Sequence, residues 1–218
     1  MPRPDFFARL GLFVIEGFFD ADLCQRVLHE VQSATQIPVS VLDGYTFEER
    51  VKEDTRRTRR GTVGATTERL VESRLAAVKP SLESHFGVTL EGCEKAQFLV
   101  YGEGDFFRPH RDRDDEPGKP QYIRDRKVSV TIFLNDERTG APAYRGGALT
   151  FYGLITDPRW EKYGFPLTGE AGTMVAFRSE VLHEVAPVDE GHRYSVVTWF
   201  FYPTLDFQND TRTATRSS

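Results

Sequence analysis

Two cysteines, two methionines and two tryptophans are spread over 218 residues, and the scarcity of cysteine removes two explanations at once. Cys24 and Cys93 stand far apart, so neither a disulfide framework nor a thiolate metal site is indicated. No apolar run approaches the roughly 20 residues that a membrane-crossing helix needs, and no membrane partner is expected. The start, Met1 to Asp5, carries no signal-peptide apolar core, so cytoplasm is the expected compartment. Positive charge is not in excess. Lys and Arg number 28 against 33 Asp and Glu, and the formal net charge of −5 argues against broad electrostatic binding of nucleic acid. Internal repeats and low-complexity tracts are missing too.

What remains is the make-up of an ordinary globular chain, 39% hydrophobic and 28% charged. The expectation is one domain over residues 1–206, helical over about 1–90 and β-rich over about 95–202, with 207–218 a flexible tail. Leu12 to Ile15 reads as a short strand. Asp20 suits the cap of a helix reaching about Gln32, with Leu23, Val27, Leu28 and Val31 on its apolar stripe. Thr66 or Thr67 is placed to cap a second helix carrying Val71, Leu75, Val78, Leu82 and Phe86. Pro80 inside that pattern predicts a kink or two abutting helices. Residues 43–62 are polar, and Arg56 to Arg60 read as an edge strand or loop. After Gly92 the apolar period changes to two, and strands dominate to about Phe201.

Gly102 and Gly104 mark a turn between two strands, the second of which carries His110 and Asp112. Residues two apart on a strand share a face, so both side chains can reach one metal ion. Such a pair alone is a weak signal. Downstream, Met174 to Phe177 reads as a strand, His183-Glu184-Val185 as the start of another, and Pro187 to Gly191 as a turn. Arg193 to Phe201 is then a long apolar strand, with Arg193, Ser195, Val197 and Trp199 on one face. Two imidazoles and a carboxylate suit a non-haem Fe(II) that keeps open positions for further ligands. Arg193 beside Ser195 can clamp a carboxylate by charge-assisted hydrogen bonds. An Arg buried among Val, Trp and Phe needs a permanent anion, and a dicarboxylate supplies one.

Other polar residues have plainer readings. His192 alternates with Arg193 and should face away from it, as Glu184 should from His183. His29 and His85 read as surface groups, and Gly146-Gly147 as a tight turn or bulge. Residues 111–127 read as a solvated loop. A substrate lid is the sharper alternative, in which Arg124, Asp125 and Arg126 are specificity candidates.

Over residues 98–201 the chain resembles the prolyl 4-hydroxylase-like branch of the Fe(II)/2-oxoglutarate-dependent dioxygenases. The matching residues are Tyr101, Gly104, Phe107, His110 and Asp112, then Val128 to Asp136, then Gly146 to Phe151. His183 to Pro187, Gly191, Arg193 and Ser195 complete the set. The resemblance implies a mainly β fold with flanking α, a double-stranded β-helix (a cupin-like jelly roll) with N-terminal helices packed on one sheet. It implies iron ligation by His110, Asp112 and His183. It also implies pairing of Arg193 with the distal carboxylate of 2-oxoglutarate, and Tyr101 and Ser195 as hydrogen-bond partners of that co-substrate. Phe107 stands where the family often has Tyr. Fe(II), 2-oxoglutarate and O2 are the implied cofactor and co-substrates, with ascorbate an optional addition.

The implied reaction is hydroxylation of an unactivated C–H bond, with release of succinate and CO2. Related halogenases lack the carboxylate, so Asp112 disfavours halogenation. The substrate is a small molecule or a peptidyl residue, prolyl included, and the spacing is less similar to that of nucleobase demethylases. Nothing indicates the oligomeric state. Two further readings stay open: a non-catalytic 2-oxoglutarate or metal-binding sensor, and a cupin-like metalloprotein without 2-oxoglutarate.

Overall fold

Carboxylates set the starts of both long helices in the N-terminal part. The computed structural model describes residues 4–42, 49–137, 143–160 and 162–202, and the expected tail at 207–218 lies outside them. In chain order come α1 (Pro4–Arg9), β1 (Phe13–Ile15), α2 (Ala21–Ser33), β2 (Ile37–Pro38), β3 (Val41–Leu42), β4 (Glu49–Arg50), β5 (Arg56–Arg57), β6 (Arg59–Gly61) and α3 (Ala65–Phe86). Asp20 caps α2 by accepting from the Leu23 N–H at 2.9 Å. Helix α3 begins earlier than a cap at Thr66 or Thr67 would allow, directly after Gly64. Its cap comes from the neighbouring helix. Glu30 of α2 accepts from the Gly64 N–H and from the Thr67 hydroxyl, both at 2.7 Å, which sets a carboxylate at the positive end of α3.

Pro80 does not divide α3, which runs unbroken for 22 residues. Pro80 is exposed, as is Ala76, whose carbonyl loses its helical donor, so water can serve that group. On the other face Val71, Leu75, Val78, Leu82 and Phe86 are buried and hold the helix in place.

The rest is strand-rich: β7 (Gly92–Cys93), β8 (Gln97–Tyr101), β9 (Phe106–His110), α4 (Gln121–Asp125), β10 (Arg126–Phe133), β11 (Tyr144–Gly146), β12 (Leu149–Phe151), β13 (Phe165–Leu167), β14 (Met174–Arg178), β15 (His183–Val185), β16 (Val188–Gly191) and β17 (Arg193–Phe201). One antiparallel sheet runs β1-β14-β10-β17-β8-β6-β2, with β7 also on β17, and a second runs β13-β12-β15-β9-β5. The fold is mainly β with few helices. Pro187 to Gly191, expected as a turn, instead supplies β16, which pairs with β11. The turn-forming residues mark its ends, with Pro187 just before it and Gly191 at φ +75° closing it.

Alternation along the strands sorts side chains between two cores. Val128, Val130 and Ile132 of β10 and Tyr194, Val196 and Phe200 of β17 pack with the buried faces of α2 and α3. The alternate residues Leu99, Tyr101 and Phe133 pack with Leu149, Phe151 and Val185 of the second sheet. On that same inner face Ser129, Thr131, Arg193, Ser195, Val197 and Trp199 border a cavity.

Candidate metal centre

Pairing of β9 with β15 makes His110 and His183 Cα partners. The register slips before Val185 and Phe107, so β9 holds one residue more than β15 over this span. Pro109 sits there and has no N–H to lose. The bulge brings Phe107 and His110 together, their ring centroids 3.5 Å apart and stacked. Asp112 is not on the strand that carries His110, contrary to the sequence reading, because β9 ends at His110. The N–H groups of Asp112 and Arg113 both donate to the Ser179 carbonyl, at 3.0 and 2.9 Å. That anchor fixes the chain just beyond the strand and still brings the carboxylate to the imidazoles.

His110 Nε2 lies 3.6 Å from one Asp112 oxygen and His183 Nε2 lies 3.5 Å from the other. Ligand atoms of the three side chains all fall within 4.8 Å of one another. His110 Nδ1 is 2.8 Å from the Arg108 carbonyl and His183 Nδ1 is 3.0 Å from the Val181 carbonyl. With Nδ1–H donating in both, the Nε2 lone pairs are left for a metal. Burial, with His110 nearby, pushes the His183 pKa down to about 4, the direction that favours the neutral, ligating form. Burial opposes ionisation of Asp112, but His183, His110 and Arg126 outweigh it and hold the carboxyl well below its usual range. One carboxylate and two imidazoles form a donor set that fits Fe(II).

Arg193 is 1% exposed. Its Nη1 donates to the Ser195 hydroxyl at 3.2 Å, whereas Nε and Nη2 have no partner among the described residues. The guanidinium stands 5.0 Å from the Phe133 ring centroid and 5.4 Å from that of Tyr101. A buried cation with idle donors is costly until an anion meets it, and a carboxylate matches its fork. A single cavity of about 950 Å³ is lined by His110, Asp112, His183, Arg193, Ser195 and Tyr101 together. All six residues singled out in the sequence therefore meet at one place.

Residues that sequence reasoning passed over also gather here. The buried Tyr144 hydroxyl has no hydrogen-bond partner among the described residues; burial raises its pKa, and neighbouring Arg193 pulls the other way. Arg56 is buried on the cavity wall with its guanidinium 4.5 Å from the Phe107 ring centroid. Neither stands in a periodic run, so no sequence signal marks them as part of a site. Segment 111–127 contributes Arg111, Asp114, Lys119, Tyr122, Ile123 and Arg126 to the wall, and of the three specificity candidates only Arg126 lines it. His192 stays outside the cluster, its ring stacked against Tyr194 at 6.2 Å. Glu184 accepts from the Tyr152 hydroxyl at 2.6 Å. His85, expected at the surface, is half-buried between Phe13 and Phe86.

The sequence profile of the 2OG-Fe(II) oxygenase superfamily matches residues 96–201. A PKHD-type hydroxylase of Synechococcus elongatus is 26% identical over 200 residues, which cover 86% of this chain and 77% of that one. A PKHD-type hydroxylase of Thermosynechococcus vestitus is 38% identical over 82 residues, 38% of this chain and 32% of its own. Among solved structures, a prolyl-4-hydroxylase of Pseudomonas putida superposes with a TM-score of 0.64 at 22% identity, over 92% of this chain and 97% of that one. A prolyl hydroxylase of Trichoplax adhaerens, in complex with a hypoxia inducible factor peptide fragment, gives a TM-score of 0.64 at 19% identity, over 91% and 88%. At such identities the solved structures speak to the fold. No helix among the described residues is long and apolar enough to cross a membrane.

Proposed function

We propose that this chain, whose residues 96–201 match the 2OG-Fe(II) oxygenase profile and which resembles PKHD-type hydroxylases, is an oxygenase of the prolyl 4-hydroxylase-like branch that hydroxylates an unactivated C–H bond of a small-molecule or peptidyl substrate, prolyl residues included. It is an oxidoreductase whose cofactor is Fe(II) and whose co-substrates are 2-oxoglutarate and O2. The observation that carries the reading is a His-Asp-His cluster sharing one cavity with a buried, half-unpartnered arginine. His110, Asp112 and His183 are the ligands in this reading. Arg193 and Ser195 take the distal carboxylate of 2-oxoglutarate, with Tyr101 beside them.

When bound, the iron with 2-oxoglutarate and O2 supplies the oxidising power for C–H hydroxylation, with succinate and CO2 released. The remaining work belongs to the chain. The Nδ1 hydrogen bonds of His110 and His183 hold both rings in a ligating orientation. Leu99, Leu149, Val185 and Val197 line the cavity with apolar surface that keeps water from the reacting atoms. In the same reading the two sheets form a jelly roll, residues 1–206 make one domain, and the protein works in the cytoplasm. A non-catalytic sensor would have no need of an intact three-ligand cluster, so the cluster favours turnover.

Anaerobic addition of Fe(II) and 2-oxoglutarate to metal-free protein tests this directly. A weak visible charge-transfer band of the chelate should need both components and vanish in Asp112→Ala. Iron binding without the band would remove Arg193 from its role and favour a cupin-like metalloprotein.

A further inference from the structure

Two arginines are buried among the described residues, Arg193 and Arg56, and the hydroxylase reading employs only the first. Arg56 is 8% exposed and sits on β5, at the edge of the second sheet. His110 stacks on one face of the Phe107 ring at 3.5 Å, and the Arg56 guanidinium stands over that ring at 4.5 Å. With His110 on one face, the guanidinium takes the other, one aromatic ring away from a metal ligand. The ring quadrupole stabilises the cation in part. It does not satisfy the Nε–H, which is shut off from solvent and has no partner among the described residues.

The charge around Arg56 points the same way. The chain carries a net charge of −5, yet its cavity wall holds Lys52, Arg56, Arg60, Arg111, Lys119 and Arg126 in addition to Arg193. Among the described residues, the acids on that wall apart from Asp112 are Glu94 and Asp114. Arg126 pairs with Glu94 at 2.6 Å and Lys119 with Asp114 at 3.1 Å, so neither is left for Arg56. A cleft with an excess of positive charge in a protein of net negative charge concentrates anionic ligands. 2-Oxoglutarate brings one distal carboxylate, and Arg193 on the other sheet takes it.

We propose that the substrate of this site is a small carboxylic acid, and that Arg56 binds its carboxylate through the guanidinium fork. The proposal rests on the hydroxylase reading and names the substrate class within it. Arg56 is buried in the wall and not displayed on the rim. The anion it meets therefore enters the cavity whole, as a free amino acid or simple aliphatic acid does.

The test uses the full chain with Mn(II) in place of Fe(II), so that ligands bind without turnover, and follows the melting temperature. Addition of 2-oxoglutarate should raise it, and the absence of that rise sinks the underlying reading. With 2-oxoglutarate saturating, the probes are amino acids and simple aliphatic acids, each beside its primary amide. At least one free acid should raise the melting temperature further while its amide does not. Arg56→Gln should weaken that acid about tenfold or more, and Arg56→Lys should weaken it less. Arg145→Gln, which removes an exposed charge paired with Glu190, should leave the shift intact. Acid and amide acting alike, a shift that survives Arg56→Gln, or a rise with amidated peptides alone would each overturn the proposal, as would no response to any acid. The acid-against-amide comparison on the unaltered chain decides even where Arg56→Gln fails to fold.

Discussion

Gly147 and Arg193 share one tight contact. A Cβ on the glycine would lie 3.1 Å from Arg193 Cδ and 2.9 Å from Val188 Cγ2, at a backbone φ of +63°. Gly147→Ala therefore combines a left-handed backbone strain of about 1–2 kcal/mol with a push on the stem of the proposed carboxylate clamp. Gly153, at φ +69° with nothing within 4 Å of its Cβ position, separates the two effects. Both alanine variants should melt lower. Only Gly147→Ala should raise the half-saturating 2-oxoglutarate concentration, by about tenfold, since small misplacements of a positioning group are expensive. Equal 2-oxoglutarate requirements in the two variants would show that the contact does not govern the clamp.

Pro80 interrupts the hydrogen-bond ladder of α3 on its exposed side. Pro80→Ala restores one donor and a better helix former, and should stabilise the protein by about 1–3 kcal/mol in urea denaturation. A neutral or negative result would mean that the proline shapes the helix to its sheet.

The chemistry-bearing residues were legible because their spacing reflects burial. Arg193, Ser195, Val197 and Trp199 alternate on β17, and the structure turns all four to the cavity. Val71 through Phe86 recur at helical spacing, and all are buried on α3. What escaped the sequence depends on distant partners. Glu30 caps a helix at Gly64, 34 residues later in the chain. Val188 to Gly191 become a strand only because Tyr144 to Gly146 lie beside them. Asp112 leaves its strand because the Ser179 carbonyl takes its N–H. Arg56 reaches the site by the pairing of β5 with β9, at Phe107. None of these partners is near in sequence, and local pattern holds no record of them.

Burial, with Asp20 and Asp136 nearby, pushes the Cys24 thiol up to about 11 from an ordinary 9.0. A folded value above the unfolded one contributes stability that is fully present below pH 9 and is lost as pH rises toward 11. The urea midpoint should therefore fall over that window more steeply in the native sequence than in Cys24→Ala. In the folded chain at pH 8, a thiol reagent followed by mass spectrometry should find Cys93 labelled before Cys24, which is only 3% exposed. Faster labelling of Cys24 would contradict its place in the core.

The two halves of the site should separate by mutation. His110→Ala, Asp112→Ala and His183→Ala each remove one of three clustered ligand groups, and should abolish stoichiometric iron binding and succinate formation together. The circular dichroism spectrum should survive, because backbone pairing holds the strands of both histidines and the Ser179 carbonyl anchors the chain at Asp112. Arg193→Ala removes no ligand. It should keep iron and raise the 2-oxoglutarate requirement steeply, since the clamp loses its charge while Ser195 remains. His192→Ala is the discriminating control, as its ring stacks on Tyr194 away from the cluster. It should change neither iron content nor turnover. Iron lost in His192→Ala and kept in His183→Ala would mean that the metal is held by a different set of side chains, and with it the assignment of Arg193 as the facing clamp would fall.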